Sequence, residues 1–197
     1  MSKSRRSPLT INDLLRKKEA KEPIAMVTAY DYPTAKLAEA AGIDLLLVGD
    51  SLGMVVLGYE STLPVTLDDM VHHTKAVTRG APNTFVISDL PFLTYHVSEE
   101  EALKAAGRLM QEGLAKAVKM EGGREILPQV KRCVAAGIPV MGHLGLTPQS
   151  VHLLGGYRVQ GREPQRAEEI YRDAHALVEA GVFALVLECV PEELAAW

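Results

Sequence analysis

Six short apolar runs are spaced along the chain, and each has the length of a buried strand. They cover residues 24–28, 45–49, 84–88, 117–120, 139–142 and 184–188. Continuous apolar runs of four or five residues are typical of parallel strands that are covered on both faces. We therefore predict six strands in this order.

Helix signals lie between these runs. Thr66 can cap a helix over 67–79, Ser98 and Glu101 have the spacing of a capping box before 102–112, and a helix over 167–180 would end at Gly181. This alternation predicts right-handed βαβ crossovers and a parallel sheet, either open and doubly wound or closed into a barrel.

Five of the predicted strands end on chargeable side chains. These are Asp50, Asp89, Lys119 with Glu121 two positions on, His143 and Glu188. The carboxyl ends of parallel strands meet at one edge of a sheet, where α/β proteins place their chemistry. The pattern indicates the active site of an enzyme.

Composition narrows the class of protein. A chain of 197 residues, 47% hydrophobic and 23% charged, is long enough for one domain with one core, and its net charge of -4 argues against nucleic acid as a partner. No apolar run is long enough for a membrane helix, and residues 2–6 precede no signal-peptide core. We expect a cytoplasmic protein with a short solvated tail and reduced, buried thiols at Cys133 and Cys189.

Asp50 and Asp89 are the most specific candidates for a binding site. Asp50 and Asp89 would end neighbouring strands, and two carboxylates that converge need a cation or a shared proton. Mg²⁺ suits them, because it binds through one or two carboxylates and leaves positions open for the oxygens of a substrate. The alternative is that each aspartate only caps the loop that follows.

Lys119 and Glu121 are two residues apart in a strand, so both point to the same side. The lysine can pair with a substrate carboxylate and the glutamate can reach a metal through water, or the two can form a structural salt bridge. His143 lies in the stretch 142–150, which contains Gly and Pro. It is either a residue of a binding pocket or a hydrogen-bonded structural histidine.

Glu188 ends the most apolar strand of the chain. Burial there would raise the pKa of its carboxyl towards the range of a general base, unless the residue is a structural glutamate paired to Lys or Arg. The glycine-rich stretches 121–123 and 154–157 match no nucleotide-binding motif. We predict that each of them forms a tight turn.

Seven segments in order resemble the ketopantoate hydroxymethyltransferase family. They are TAYDY at 28–32, VGDSLGM at 48–54, STLPVT at 61–66, DLPF at 89–92, VKMEGG at 118–123, GHLGLTPQS at 142–150 and LECVP at 187–191. The resemblance runs from about residue 24 to the end of the chain. It implies a (β/α)8 TIM barrel of the phosphoenolpyruvate/pyruvate type and a homo-oligomer, typically a decamer.

The resemblance also implies roles at the metal and at the substrate. Asp50 and Asp89 would hold Mg²⁺ directly, and Glu121 would do so through water. Asp50, Ser51, Asp89 and Lys119 would bind the 2-oxoacid.

Glu188 matches the proton acceptor of the family, while Tyr30 and His143 would line the pocket. The implied reaction is transfer of a hydroxymethyl group from 5,10-methylenetetrahydrofolate to 3-methyl-2-oxobutanoate through a Mg-stabilised enolate. It gives 2-dehydropantoate, in the first committed step of pantothenate synthesis.

The length of the chain departs from this pattern. A closed barrel usually takes about 250 residues, whereas 197 residues hold only six βα units, so we expect a single incomplete barrel domain over 1–197. Two unpaired sheet edges would then make the isolated chain associate or melt early. Two other functions stay open: another Mg-dependent 2-oxoacid lyase or mutase of the same superfamily, although its catalytic-cysteine loop is not visible, or an inactive remnant that binds Mg²⁺ or a partner subunit.

Overall fold

The computed structural model describes residues 7–197 and contains one parallel sheet of six strands. The strands are β1 Met26–Thr28, β2 Leu45–Val48, β3 Phe85–Asp89, β4 Ala117–Glu121, β5 Val140–Gly145 and β6 Ala184–Glu188. All six predicted strands are therefore confirmed, with ends shifted by at most three residues. The tail predicted for residues 2–6 lies outside the described residues.

Helices connect the strands. They are α1 Ile11–Glu19, α2 Tyr32–Ala41, α3 Leu52–Val55, α4 Leu67–Gly80, α5 Glu99–Gln111, α6 Leu127–Ala135, α7 Val151–Leu154, α8 Pro164–Glu179 and α9 Glu192–Ala195. Short 3₁₀ turns at Arg124–Ile126 and Pro148–Ser150 follow the ends of β4 and β5. The three helices predicted from capping signals correspond to α4, α5 and α8.

The capping predicted from the sequence forms completely at α4 and only in part at α5. Thr66 forms a full capping box with Asp69, whose backbone N–H donates to the Thr66 hydroxyl while its carboxylate accepts from the Thr66 N–H. At α5 the Ser98 hydroxyl accepts from the Glu101 N–H at 3.1 Å, but the Glu101 carboxylate pairs with Lys104 instead. The capping box predicted there forms only in half.

The strand order decides between the two predicted architectures. The sheet runs β1-β2-β3-β4-β5-β6, so each strand lies beside its neighbours in the chain. A doubly wound sheet reverses its order at a switch point, whereas a barrel is wound in one direction. The structure is therefore the greater part of a barrel wall, with six βα units present.

The two faces of the sheet have different covers. On one face, residues such as Leu46, Val86 and Val118 pack in the core beneath the helices. On the other face, Phe85 and Ile87 form a smaller cluster with Leu14 of α1. Helix α1 thus covers the amino-terminal part of the inner face and leaves the carboxyl ends of the strands open.

The sheet edges match the predicted exposure. Within residues 7–197, β1 pairs with β2 alone and β6 with β5 alone. Met26 and Val27 on β1 are 36% and 40% exposed. Association or early melting of the isolated chain remains a prediction.

The two cysteines differ in their surroundings. Cys133 is buried in α6, and burial raises the pKa of its thiol to about 11. Cys189 is exposed just after β6, so the prediction of two buried thiols is wrong for this residue because the strand it follows is only partly covered. No helix in the described part of the chain is long and apolar enough to cross a membrane.

Two helical glycines offer a matched test of the packing. A Cβ added to Gly80, at the end of α4, would lie 2.5 Å from the Tyr32 carbonyl oxygen, whereas one added to Gly107 in α5 would meet nothing within 4 Å. We expect Gly80→Ala to destabilise the chain by about 1–3 kcal/mol and Gly107→Ala to stabilise it by about 0.5–1 kcal/mol. Urea unfolding of both variants measures this, and a Gly80→Ala variant as stable as the parent would contradict the close approach.

Candidate active site

The predicted strand ends converge on one cavity at the carboxyl edge of the sheet. Its volume is about 340 Å³. Its polar lining includes Asp50, Ser51, Thr62, Asp89, Lys119, Glu121, His143 and Glu188. Six of these residues are the chargeable strand ends that the apolar pattern singled out, so their predicted convergence at one edge of the sheet is confirmed.

Strand register explains why these side chains meet. Asp89 pairs with Lys119 across β3 and β4, and Glu121 pairs with His143 across β4 and β5. Partners in a parallel pair point to the same face, and so do residues two apart in a strand. Lys119 therefore lies in the cavity between Asp89 and Glu121.

Three carboxylates are buried in the cavity with one ammonium. Asp50, Asp89, Lys119 and Glu121 are each only 3–4% exposed. The Lys119 ammonium lies 2.9 Å from Asp89 Oδ1 and 3.8 Å from Glu121 Oε1. The salt bridge predicted as an alternative for Lys119 is thus present, but a single positive charge leaves the group with excess negative charge.

The pKa values reflect this imbalance. Burial and the Asp89 charge raise the pKa of Asp50 to about 8. Burial also raises the pKa of Asp89, although the Lys119 ammonium opposes the shift. Burial lowers the pKa of Lys119, but the surrounding carboxylates outweigh it and the net shift is upwards. A further cation beside the two aspartates would therefore favour the charged form of both.

His143 links the acidic group to Glu188. Its Nδ1 lies 3.4 Å from Glu121 Oε1 and 3.2 Å from Lys119 Nζ, and its Nε2 lies 3.3 Å from Glu188 Oε2. Burial and Lys119 lower the pKa of His143, but the two glutamates reverse this and raise it overall. His143 therefore faces a carboxylate on each side of its ring.

Glu188 is less buried than the sequence predicted. Its side chain is 40% exposed, because β6 is only partly covered. The burial on which the sequence argument for a general base rested is absent from this structure, so that argument is wrong here. Its closest charged partner in the cavity is His143 rather than the Lys or Arg of the structural alternative.

Tyr30 contacts the cavity through Ser51. The Tyr30 hydroxyl lies 2.9 Å from Ser51 Oγ, and the Tyr30 carbonyl oxygen lies 2.6 Å from His73 Nδ1. Ser51 follows Asp50 directly and is itself part of the cavity lining. Tyr30 thus orients the serine, and His73, to which the sequence analysis gave no role, supports the tyrosine backbone.

Three residues of the site were not predicted. Thr62 lines the cavity and is 1% exposed, and none of the described residues hydrogen-bonds to its hydroxyl. Gln149 and Tyr95 are buried beside the carboxylates and hydrogen-bond to each other at 2.8 Å. Thr62 and Gln149 belong to segments that carry the family resemblance, and that was the available signal.

The donor set fits a magnesium ion. Within residues 7–197, no three His, Cys, Asp or Glu side chains form a complete set of metal ligands. Mg²⁺ does not require one, because it keeps several waters and binds proteins through one or two carboxylates. Asp50 and Asp89, whose pKa values are raised by burial, have this character, and Glu121 lines the same cavity.

Fold and site together define a class of protein: a parallel α/β barrel with an acidic site at the carboxyl ends of its strands. Solved structures agree on the fold. Phosphonopyruvate hydrolase with oxalate and Mg²⁺ superposes with a TM-score of 0.70 at 17% identity, covering 95% of this chain and 67% of that one. The structure of 2,3-dimethylmalate lyase superposes with a TM-score of 0.67 at 19% identity, covering 95% of this chain and 66% of that one.

The chain belongs to the ketopantoate hydroxymethyltransferase family, whose model matches residues 8–197. It is 62% identical over 192 residues to the 3-methyl-2-oxobutanoate hydroxymethyltransferase of Moorella thermoacetica, covering 98% of this chain and 71% of the relative. The 3-methyl-2-oxobutanoate hydroxymethyltransferase of Bacillus subtilis is 58% identical over 184 residues, which cover 93% of this chain and 66% of that relative. The chain thus spans about two thirds of the length of these relatives.

The raised pKa of Asp50 predicts a pH dependence of stability in the metal-free protein. The folded pKa of about 8 lies above the ordinary value of 3.8. The contribution of Asp50 is therefore complete below about pH 3.8 and is lost as the pH rises through about 8. We expect Asp50→Asn to remove this loss, up to about 1.4 kcal/mol per pH unit.

Urea unfolding at pH 6 and pH 8 with a chelator measures this difference. Glu179→Gln, an exposed carboxylate at the end of α8, is the control and should keep the slope of the parent. An Asp50→Asn variant with the parent's pH dependence would show that Asp50 is not the group concerned.

Proposed function

We propose that the full protein transfers a hydroxymethyl group from 5,10-methylenetetrahydrofolate to 3-methyl-2-oxobutanoate. The observation that carries the proposal is the buried group of Asp50, Asp89 and Glu121 with Lys119, at the strand ends of a chain of this family. Its unbalanced negative charge calls for a divalent cation, and its ammonium suits the carboxylate of a 2-oxoacid. A cation and an anionic substrate would together complete the site.

Asp50 and Asp89 would hold Mg²⁺, with Glu121 reaching it through water. When bound, the ion would polarise the carbonyl of the 2-oxoacid as a Lewis acid. Ser51 and Lys119 would hold the substrate carboxylate, the serine by its hydroxyl and the lysine by a charge-assisted hydrogen bond. Lys119 pairs with Asp89 in this structure and would change partner when cation and substrate arrive together.

Glu188 would take the proton from C3 of the substrate. Its side chain is partly exposed at the cavity, within 3.3 Å of His143 Nε2, so the carboxylate is accessible to a ligand. His143, whose pKa is raised by both glutamates, would orient Glu188 by a hydrogen bond. Tyr30 would keep the Ser51 hydroxyl in place.

The overall reaction balances with one water. The C3–H bond breaks and its proton goes to Glu188, while C3 forms a bond to the methylene carbon of the folate. Water supplies the hydroxyl oxygen, and tetrahydrofolate leaves with the nitrogen atoms that held the methylene group. The products are 2-dehydropantoate and tetrahydrofolate.

Product formation tests the proposal directly. Purified protein with Mg²⁺, 3-methyl-2-oxobutanoate and 5,10-methylenetetrahydrofolate should form 2-dehydropantoate, detected by proton NMR. The protein without Mg²⁺ is the control. Cleavage of a 2-oxoacid with no folate requirement would instead identify a lyase, as some neighbours of the fold are named.

Metal and substrate should bind together. Asp89→Ala removes a carboxylate that would hold the ion, so we expect affinity for 3-methyl-2-oxobutanoate in Mg²⁺ to fall at least tenfold. Calorimetry with and without Mg²⁺ measures the loss. Asp173→Ala removes an aspartate whose carboxylate pairs with Arg124 outside the cavity, and this control should bind like the parent. Unchanged affinity in Asp89→Ala would exclude a shared site.

Glu188→Gln separates binding from proton transfer. Glutamine keeps the size of the side chain but cannot accept a proton, so substrate should still bind while C3 exchange slows by about two to four orders of magnitude. Exchange is followed by NMR in D₂O. If the variant exchanged at the rate of the parent, another group would be the base.

A further inference from the structure

Gln149, to which the sequence analysis gave no role, hydrogen-bonds to two of the three buried carboxylates. It lies in the 3₁₀ turn Pro148–Ser150 after β5 and is 5% exposed. Its side-chain Nε2 donates to Asp50 Oδ2 at 2.8 Å and to the Leu90 carbonyl oxygen at 2.9 Å. Its backbone N–H donates to Glu121 Oε2 at 2.9 Å.

The orientation of the Gln149 amide is determined by its partners. The Leu90 carbonyl oxygen can only accept, so it must face the amide nitrogen, whose second hydrogen then points to Asp50. The amide oxygen faces the Tyr95 hydroxyl at 2.8 Å, and that hydroxyl also accepts from the Glu121 backbone N–H. The side chain therefore has one favourable orientation, with its donors towards Asp50.

Gln149 holds Asp50 and Glu121 through different parts of the residue. The Asp50 carboxylate is held by the Gln149 side chain, whereas the Glu121 carboxylate is held by the Gln149 main chain. A side-chain substitution can therefore release the first and leave the second in place. The difference separates a positioning role from a general loss of packing.

We propose that Gln149 is a positioning residue, which holds one oxygen of Asp50 so that the other is directed to a divalent cation in the cavity. The reference to a cation rests on the proposed function. Outer hydrogen-bond partners of metal ligands orient those ligands, and their loss typically costs tenfold to a hundredfold in metal affinity. Gln149 acts through Asp50 and is not itself a catalytic residue.

Two variants test the proposal. Gln149→Met keeps the length of the side chain and removes only the side-chain hydrogen bonds, while Gln149→Glu keeps an acceptor for Tyr95 and removes the donor to Asp50. Gln165→Met, on the exposed surface of α8, is the matched control. Each is compared with the parent by crystallography without metal and by Mn²⁺ binding followed with electron paramagnetic resonance.

We expect the Asp50 carboxylate to rotate in both Gln149 variants while Glu121 keeps its position. Mn²⁺ affinity should fall about tenfold to a hundredfold, with an altered spectrum of the bound ion, and Gln165→Met should match the parent. An unmoved Asp50 would overturn the proposal, as would a displaced Asp50 with parental Mn²⁺ affinity. If one variant fails to fold, the other decides.

The same experiment distinguishes this inference from the proposed function. A parent protein that binds no Mn²⁺ would contradict the proposed metal site. The metal-free crystal structures would still decide whether the Gln149 side chain positions Asp50.

Discussion

The structure depends on one electrostatic constraint: three carboxylates and one ammonium are buried together at the carboxyl edge of the sheet. Burial of a charge is costly unless the charge is paired and hydrogen-bonded. Lys119 pairs with Asp89, Glu121 lies near Lys119 and His143, and Gln149 donates to Asp50. These contacts reduce the cost only in part, and burial together with the charge of Asp89 raises the pKa of Asp50 to about 8.

The parallel sheet creates this constraint through its register. Sequential strand order brings β2, β3, β4 and β5 side by side, and pairing across neighbouring strands places their terminal polar residues on one face. Helix α1 covers the opposite end of the inner face through Leu14. The cavity therefore opens where the charged side chains are, at the edge that α/β barrels use for chemistry.

Much of this arrangement could be predicted from the sequence because it depends on local patterns. A buried parallel strand is a short apolar run, and the residue that follows it lies at a known edge of the sheet. Asp50, Asp89, Lys119, Glu121 and His143 were found in this way. The family resemblance then supplied the choice of a barrel over a doubly wound sheet.

Other features depend on contacts that no local pattern records. Gln149 reaches Asp50 across 99 positions of the chain, and Tyr95 reaches Gln149 across 54. The exposure of Glu188 and Cys189 depends on what covers β6, which an apolar run cannot indicate. Glu101 illustrates competition on a smaller scale, since Lys104 takes the carboxylate that the capping signal assigned to Ser98.

One measurement tests the central claim most directly: the crystal structure of the protein with Mn²⁺ and 3-methyl-2-oxobutanoate, in which anomalous scattering locates the ion. The account predicts one ion in the cavity, bound by Asp50 and Asp89, with the oxoacid carboxylate near Lys119 and Ser51. An empty cavity, with Lys119 still paired to Asp89 under saturating Mn²⁺ and substrate, would contradict it.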